Sequence, residues 1–393
     1  MAEFSPMMKH YLDIKEQYKD CIVFYRLGDF YEMFFDDAIT ASRELEITLT
    51  GRECGKEERA PMCGVPFHAA QNYLSRLIEK GYKVAICEQL EDPKEAKGIV
   101  KRDVIRVVTP GTVDDPHMLD EKKNNYIVAI FKKGIYFGLA ICDITTGEFK
   151  ATNISQSNNF ALLLDELSKY NPAEIVINKM LFECKEELDE IKLRFNSYIS
   201  NFDEKLFKED IKELNKNYTF VNEQDKPIDN LEDHLFEVCS INGLLEYLTQ
   251  TQKIKLEHIN NIKIYNISKY MTLDISARRN LELTQRMSDG AKKGSLLWVL
   301  DKTITSMGGR NLRKWINEPL VDVMEINNRL LAVKELKEEF ILRGDLVQSL
   351  KYVYDIERLV GKISYGNSNA RDMISLKSSL KQLPNIKELL KRN

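Results

Sequence analysis

Ile22-Val23-Phe24-Tyr25-Arg26-Leu27 runs straight into Gly28-Asp29-Phe30-Tyr31-Glu32, and this stretch decides how the first part of the chain is built. Its first half is rich in β-branched and aromatic residues and reads as a strand. If the extended backbone continues, residues two apart project from one face, so Phe30 and Glu32 point together while Tyr31 points away. An apolar ring can wedge between base pairs, and a carboxylate beside it can hydrogen-bond the edge of the disturbed base. Phosphates repel a carboxylate aimed at DNA, so such a residue needs a specific task to be tolerated there. On spacing alone, an ordinary aromatic strand would carry the same pattern.

Outward from this stretch the elements follow in α/β order. Residues 7–19 read as an amphipathic helix, with Tyr11, Ile14 and Tyr18 at helical spacing. Asp36 or Asp37 is placed to cap a helix through Leu45. A polar loop spans Gly51 to Arg59, and a helix from Ala69 to Lys80 stops at Gly81. Tyr82–Cys87 and Val104–Val108 read as strands, closing a small domain near Pro110-Gly111. After Asp114-Asp115-Pro116, Tyr126–Phe131 and Ile135–Asp143 form a hairpin about a Lys-Lys-Gly turn. A turn and strand at Thr145–Phe149, a helix at Phe160–Tyr170 and a strand at Glu174–Ile177 turn this meander into β-α-β order. The helix Leu235–Thr249 closes that unit. From Tyr270 onward apolar residues recur at helical spacing, with Pro319 and Gly344 punctuating successive helices.

Composition narrows the class without naming it. A chain of 393 residues holds two or three domains. The charged fraction of 30% and hydrophobic fraction of 43% are ordinary for a folded cytoplasmic protein. No run approaches the roughly 18 apolar residues that span a bilayer, and the N-terminus lacks a signal-peptide core. Seven scattered cysteines with no Cys-x-x-Cys pair fit a reducing compartment; Cys54 and Cys63 are the closest candidates for other chemistry. With 57 basic and 61 acidic residues the net charge is −4, which argues against a strong non-specific nucleic-acid binder and would keep any DNA affinity local and modest. Asp36, Asp37, Glu44, Glu46, Glu57 and Glu58 make the first domain acid-rich. Basic residues gather at Arg52, Lys56 and Arg59, at Lys101, Arg102 and Arg106, and most densely between Arg278 and Lys314.

Gly28–Glu32 followed by Phe34-Phe35-Asp36-Asp37-Ala38 resembles the mismatch-reading segment of the MutS family of DNA mismatch-repair proteins. Further similar motifs follow in the family's order: Pro61–Ala69, Ala85–Gln89 and Arg106–Thr112. Leu273–Glu282, Leu300–Thr303 with Ser306–Arg310, and Trp315–Leu320 resemble the entry to its core domain. The resemblance implies an α/β plus all-α chain. A mixed α/β mismatch-binding domain would occupy residues 1–115, with a linker at 116–124. A ribonuclease-H-like connector would follow at 125–252, a second linker at 253–269, and the first part of a helical core, or lever, domain at 270–393.

It further implies recognition of mispaired and unpaired bases in duplex DNA. Phe30 would stack at the mispaired base, where a mismatched step unstacks at lower cost. Glu32 would hydrogen-bond that base, a task that suits a partly protonated carboxylate near the polyanion. Arg106 would contact the DNA backbone and Met62 would lie in a groove-lining turn; Arg52 and Arg59 fit phosphate contacts by charge and position. A solvated or buried structural role accounts for these four as well.

The family couples recognition to an ATPase using ATP and Mg, yet no G-x-x-x-x-G-K-[ST] loop is found here. Gly51–Lys56 has three intervening residues and Glu57 in the hydroxyl position, and Gly290–Ser295 also fails. We therefore expect a non-catalytic N-terminal part of a dimeric family protein, without a cofactor of its own, ending inside the core domain at Lys391-Arg392-Asn393. Its orphaned helices would expose apolar faces and favour aggregation. A rival reading gives the connector Asp143, Glu148 and Asp165 as ligands to two metal ions about 4 Å apart in a nuclease. Another makes it a module binding a downstream repair protein through Lys132, Lys133 and the 183–194 helix.

Overall fold

Short β-branched runs alternating with amphipathic segments build two sheets, each with helices packed on it, before the chain turns helical. The computed structural model describes residues 4–56, 58–91, 100–155 and 159–391, so Glu57 and Arg392-Asn393 lie outside the described residues. The chain forms two compact units, residues 1–113 with 247–255, and residues 114–246 with 256–393.

In the first unit α1 (Pro6–Gln17) leads to β1 (Cys21–Leu27), β2 (Phe30–Phe34), α2 (Phe35–Leu45) and β3 (Thr50–Arg52). Then come β4 (Ala60–Pro66), α3 (Ala70–Glu79), β5 (Lys83–Gln89) and β6 (Arg102–Val108). The strands lie in the order β3-β4-β2-β1-β5-β6, and every pairing is antiparallel except β1 with β5. Alternation divides the core. Val23, Tyr25, Phe34 and Cys87 pack with Met8, Tyr11 and Ile14 of α1. Phe24, Tyr31, Met33 and Cys63 are buried on the other face, where α2 and α3 lie against β4 and β5.

Neither Asp36 nor Asp37 caps α2. The N-cap is Phe34, extended and without a side-chain cap. Asp37 turns inward instead, accepting from Tyr11 Oη at 2.8 Å, Val23 N at 3.0 Å and Lys15 Nζ at 2.8 Å. A carboxylate can be buried there because these donors replace water.

The second unit opens with the antiparallel meander β7 (Ile127–Lys133), β8 (Tyr136–Asp143) and β9 (Glu148–Ile154). It continues through α4 (Asn159–Tyr170), β10 (Glu174–Ile177), α5 (Lys179–Glu183), α6 (Lys185–Arg194) and β11 (Tyr198–Asn201). Next are α7 (Ile211–Asn217), β12 (Thr219–Val221), α8 (Leu235–Gln252), whose residues from Tyr247 on count with the first unit, and β13 (Asn261–Ile264). The sheet order is β11-β10-β7-β8-β9-β13-β12, with β10 to β13 all joined by parallel pairings. Residues 253–269, read from sequence as a linker, thus supply β13, whose four residues are too few to show a period. Val128, Ile130, Leu139 and Ile141 pack with Leu163 and Leu167 of α4 on one face. On the other, α8 approaches so closely that a Cβ on Gly138 would stand 2.0 Å from Phe236 O.

The helical segment comprises α9 (Ile275–Asn280), α10 (Leu296–Leu300), α11 (Ser306–Asn317), α12 (Val323–Glu338), α13 (Phe340–Leu350), α14 (Ile356–Ser364) and α15 (Ala370–Lys391). Pro319 follows the end of α11, but Gly344 lies inside α13, where packing against α15 outweighs its weak helix propensity. Buried and partly buried ions tie these helices to the second sheet. Lys314 Nζ lies 3.2 Å and Lys150 Nζ 2.6 Å from Glu148 Oε1, and Lys169 Nζ lies 3.4 Å from Glu318. Arg310, 4% exposed, reaches Asp355 through two nitrogens at 2.6 and 2.8 Å. Among the described residues no helix is long and apolar enough to cross a membrane.

Candidate nucleic-acid interface

β1 and β2 are joined by the two-residue turn Gly28-Asp29, with Leu27 opposite Phe30. Gly28 has φ +57°, the sign that the first position of a II′ hairpin turn requires and a side chain resists. Register then sets the face. Phe30 pairs with Pro66, Glu32 with Gly64 and Phe34 with Met62. Met62 in turn pairs with Thr50 and Ala60 with Arg52, so alternation puts Phe30, Glu32, Met62 and Arg52 on one face. The core under α1 takes up Phe34 and part of Met62, leaving the Phe30 end open. Phe30 is 46% exposed, whereas Tyr31 on the reverse face is 7% exposed.

Gly64 keeps the flank of this pair bare. A Cβ there would stand 3.4 Å from Glu32 Cγ and 3.8 Å from Phe30 Cδ1, so a longer side chain would crowd both. Glu32 is ion-paired with Arg52, and both side chains are partly exposed. Such a pair is worth about 0–1 kcal/mol and is readily exchanged for another partner.

Behind the open end, Tyr31 Oη donates to Glu88 Oε1 and Arg26 lies 3.5 Å from the same carboxylate. Burial first, and then the Glu88 hydrogen bond, raise the Tyr31 pKa and keep it a neutral donor. The Arg26 guanidinium stacks 3.7 Å from the centroid of the exposed Phe67 ring. Arg26 and Phe67 were not singled out from sequence; the only signal was an arginine within an otherwise apolar strand.

The remaining expected residues separate from this group. Arg59 is exposed just before β4; a Cβ on Gly51 would meet its Cβ at 3.2 Å. Arg106 lies on the edge strand β6 opposite Ile86. Its neighbour Val107 joins the core under α1, so Arg106 projects from the reverse face, three strands and about 14 Å from β2. The structure does not bring it together with Phe30 and Glu32. Arg102, one of the basic residues gathered with Lys101 and Arg106 in the sequence, is buried and donates to Arg26 O at 2.8 Å and Val100 O at 2.9 Å. All seven cysteines are free, and burial pushes the Cys63 and Cys87 thiols up to about 12.

The acids of the second unit are already engaged. Asp143 accepts from Asn124 Nδ2 at 2.7 Å, Thr145 N at 2.9 Å and Thr145 Oγ1 at 2.7 Å. Glu148 is held by Lys150 and Lys314, and Asp165 accepts from Ile275 N at 3.2 Å. Among the described residues no group of three or more His, Cys, Asp or Glu could hold a metal ion. Lys132 is buried and paired with Glu187, so it offers no surface charge to a partner.

Three family models match in succession: MutS domain I over residues 5–117, MutS domain II over 125–260 and MutS domain III over 276–393. The chain is therefore built of three consecutive domains of one multidomain architecture, and nearly all of it is matched. It belongs to the MutS family. The DNA mismatch repair protein MutS of Ruminiclostridium cellulolyticum is 58% identical over 390 residues, covering 99% of this chain and 44% of the relative. Those of Acetivibrio thermocellus and Clostridium tetani are 55% and 50% identical, covering 100% and 99% of this chain and 44% and 43% of the relatives. The chain thus spans less than half the length of the curated relatives it matches.

Proposed function

We propose that this chain reads mispaired and unpaired bases in duplex DNA and so initiates mismatch repair. The observation that carries the reading is the open end of β2, where a 46% exposed Phe30 stands on the same face as Glu32 beside a glycine flank. Phe30 enters from the minor groove as the wedge. Unstacking costs a few kcal/mol per step and less at a mispair, so the deformation itself selects the defect. Glu32 leaves Arg52 for the mispaired base, and Arg52, Arg59 and Met62 line the approach. Arg106 contacts the backbone elsewhere along the duplex. In the whole protein, ATP hydrolysis with Mg, dimerisation and a downstream repair partner at the second domain complete the cycle. The order β9-β8-β7-β10-β11, an antiparallel meander continued by parallel strands, supports a ribonuclease-H-like connector, and the α9–α15 segment supports the start of a lever. Because Asp143 and Glu148 are already satisfied by donors and cations, we expect no Mg-dependent cleavage by this unit.

The test is anisotropy of a labelled duplex carrying a G·T mispair or one unpaired T against its matched control, at low salt. The chain should prefer the defect, and Phe30→Ala should bring the ratio to about one. A mutant that keeps its preference would remove Phe30 from the role.

A further inference from the structure

The basic zone that begins at Arg278 lies in the second unit. There, α9 and α11 meet the end of α4 around a cavity of about 560 Å³, within the roughly 300–1,000 Å³ of small-ligand sites. Its single lining carboxylate is Glu318, which Lys169 already holds at 3.4 Å. Among the described residues Lys123, Arg278, Arg279 and Arg313 line the same cavity with no carboxylate within ion-pair distance. Arg278 spends its donors on Leu273 O and on Asn317 O and Oδ1, at 3.0–3.2 Å. Arg313 Nε is buried without a hydrogen-bond partner. Burial and the nearby Arg313 charge both lower the pKa of Lys123.

Arg278 and Arg313 are partly buried while Lys123 and Arg279 are exposed. Asp120, Asp165, Glu166, Asp301 and Glu318 offset their charge only from beyond ion-pair distance, so an anion between them would relieve the remaining repulsion. We propose that this cavity binds a compact polyphosphate anion, free or as the tail of a nucleotide. The Arg279 and Arg313 guanidinium groups and the Lys123 ammonium match the several oxyanions of such a chain, and Arg278, its fork already engaged, adds only its charge. A single monovalent anion would leave most of the charge uncompensated. A B-form duplex is too wide to enter, although an edge phosphate could cover the mouth.

The test is thermal denaturation and titration calorimetry of this chain with tripolyphosphate, ATP and AMP, each against sodium chloride at equal ionic strength. Tripolyphosphate should raise the melting temperature. The double variant Lys123→Met/Arg313→Met should melt no lower than the parent without ligand, because it loses repulsion, and should bind about tenfold more weakly or worse. If that variant does not fold, Arg279→Gln, at an exposed position, should weaken binding in the same direction. Binding of ATP but not AMP supports the nucleotide source, and binding of tripolyphosphate alone supports the inorganic one. Stabilisation no greater than that by sodium chloride, equal stabilisation of the variants, or displacement by an unlabelled matched duplex would overturn the proposal.

Discussion

On the proposed reading Glu32 must part from Arg52 before it meets a base edge, and a partly exposed pair worth about 0–1 kcal/mol makes that exchange inexpensive. The freed guanidinium is then available to a phosphate, which is sequence-independent chemistry. Arg52→Ala should therefore weaken binding to matched and mismatched duplexes alike, leave their ratio intact and flatten the salt dependence by about one phosphate contact. Anisotropy across a salt series checks this. A changed ratio would make Arg52 part of the reader. Alternation along β2 made the Phe30–Glu32 pairing legible in sequence, because a strand period of two leaves no other choice. Gly64 and Arg52 were not legible as its neighbours, since cross-strand register joins residues 20 to 34 positions apart.

Elements differ in how much of themselves a sequence reveals. The hairpin at Gly28-Asp29 announces itself by turn chemistry, and α4 by its apolar spacing. β13 does not, because four residues hemmed by polar ones show no period until β9 and β12 are placed beside them. α8 was found as a helix, but its close seat on β8 depends on Gly138, whose significance appears only with Phe236 O 2.0 Å from where a Cβ would lie. Backbone cannot yield as a flexible side chain can, so Gly138→Ala should lower stability by about 1–3 kcal/mol or more. Urea unfolding followed by far-ultraviolet circular dichroism measures it. An unchanged midpoint would mean α8 shifts without cost.

Across the second unit, stability is tied to buried charge. Burial alone would raise the Glu148 pKa, but Lys150 and Lys314 override it and hold the carboxyl well below the usual range. Glu318 is lowered against burial by Lys150, Lys169 and Lys314. Groups depressed on folding stabilise fully above the unfolded value of about 4.3 and lose that contribution as pH falls through the folded one. The contribution of these two carboxyls to the urea midpoint should thus be constant from neutrality to about pH 5 and be lost on further acidification. Glu148→Gln should be less stable at neutral pH and show a shallower acid limb; an identical limb would place the acid sensitivity elsewhere. Val323, Met324, Leu331, Phe340 and Ile341 are exposed on α12 and α13, the apolar faces foreseen as prone to association.

The sequence by itself determined the longer strands and helices, the shared face of Phe30 and Glu32, and the family, because these depend on local period and ordered motifs. Tertiary structure alone decided that Asp37 turns inward, that Arg102 is buried and Arg106 faces away, and that Arg52 holds Glu32. It also decided that four cations of the helical segment and its approach share one cavity. The physical reason is common to all of these: burial, register and the pairing of charge are properties of residues distant in the chain, and no local pattern carries them.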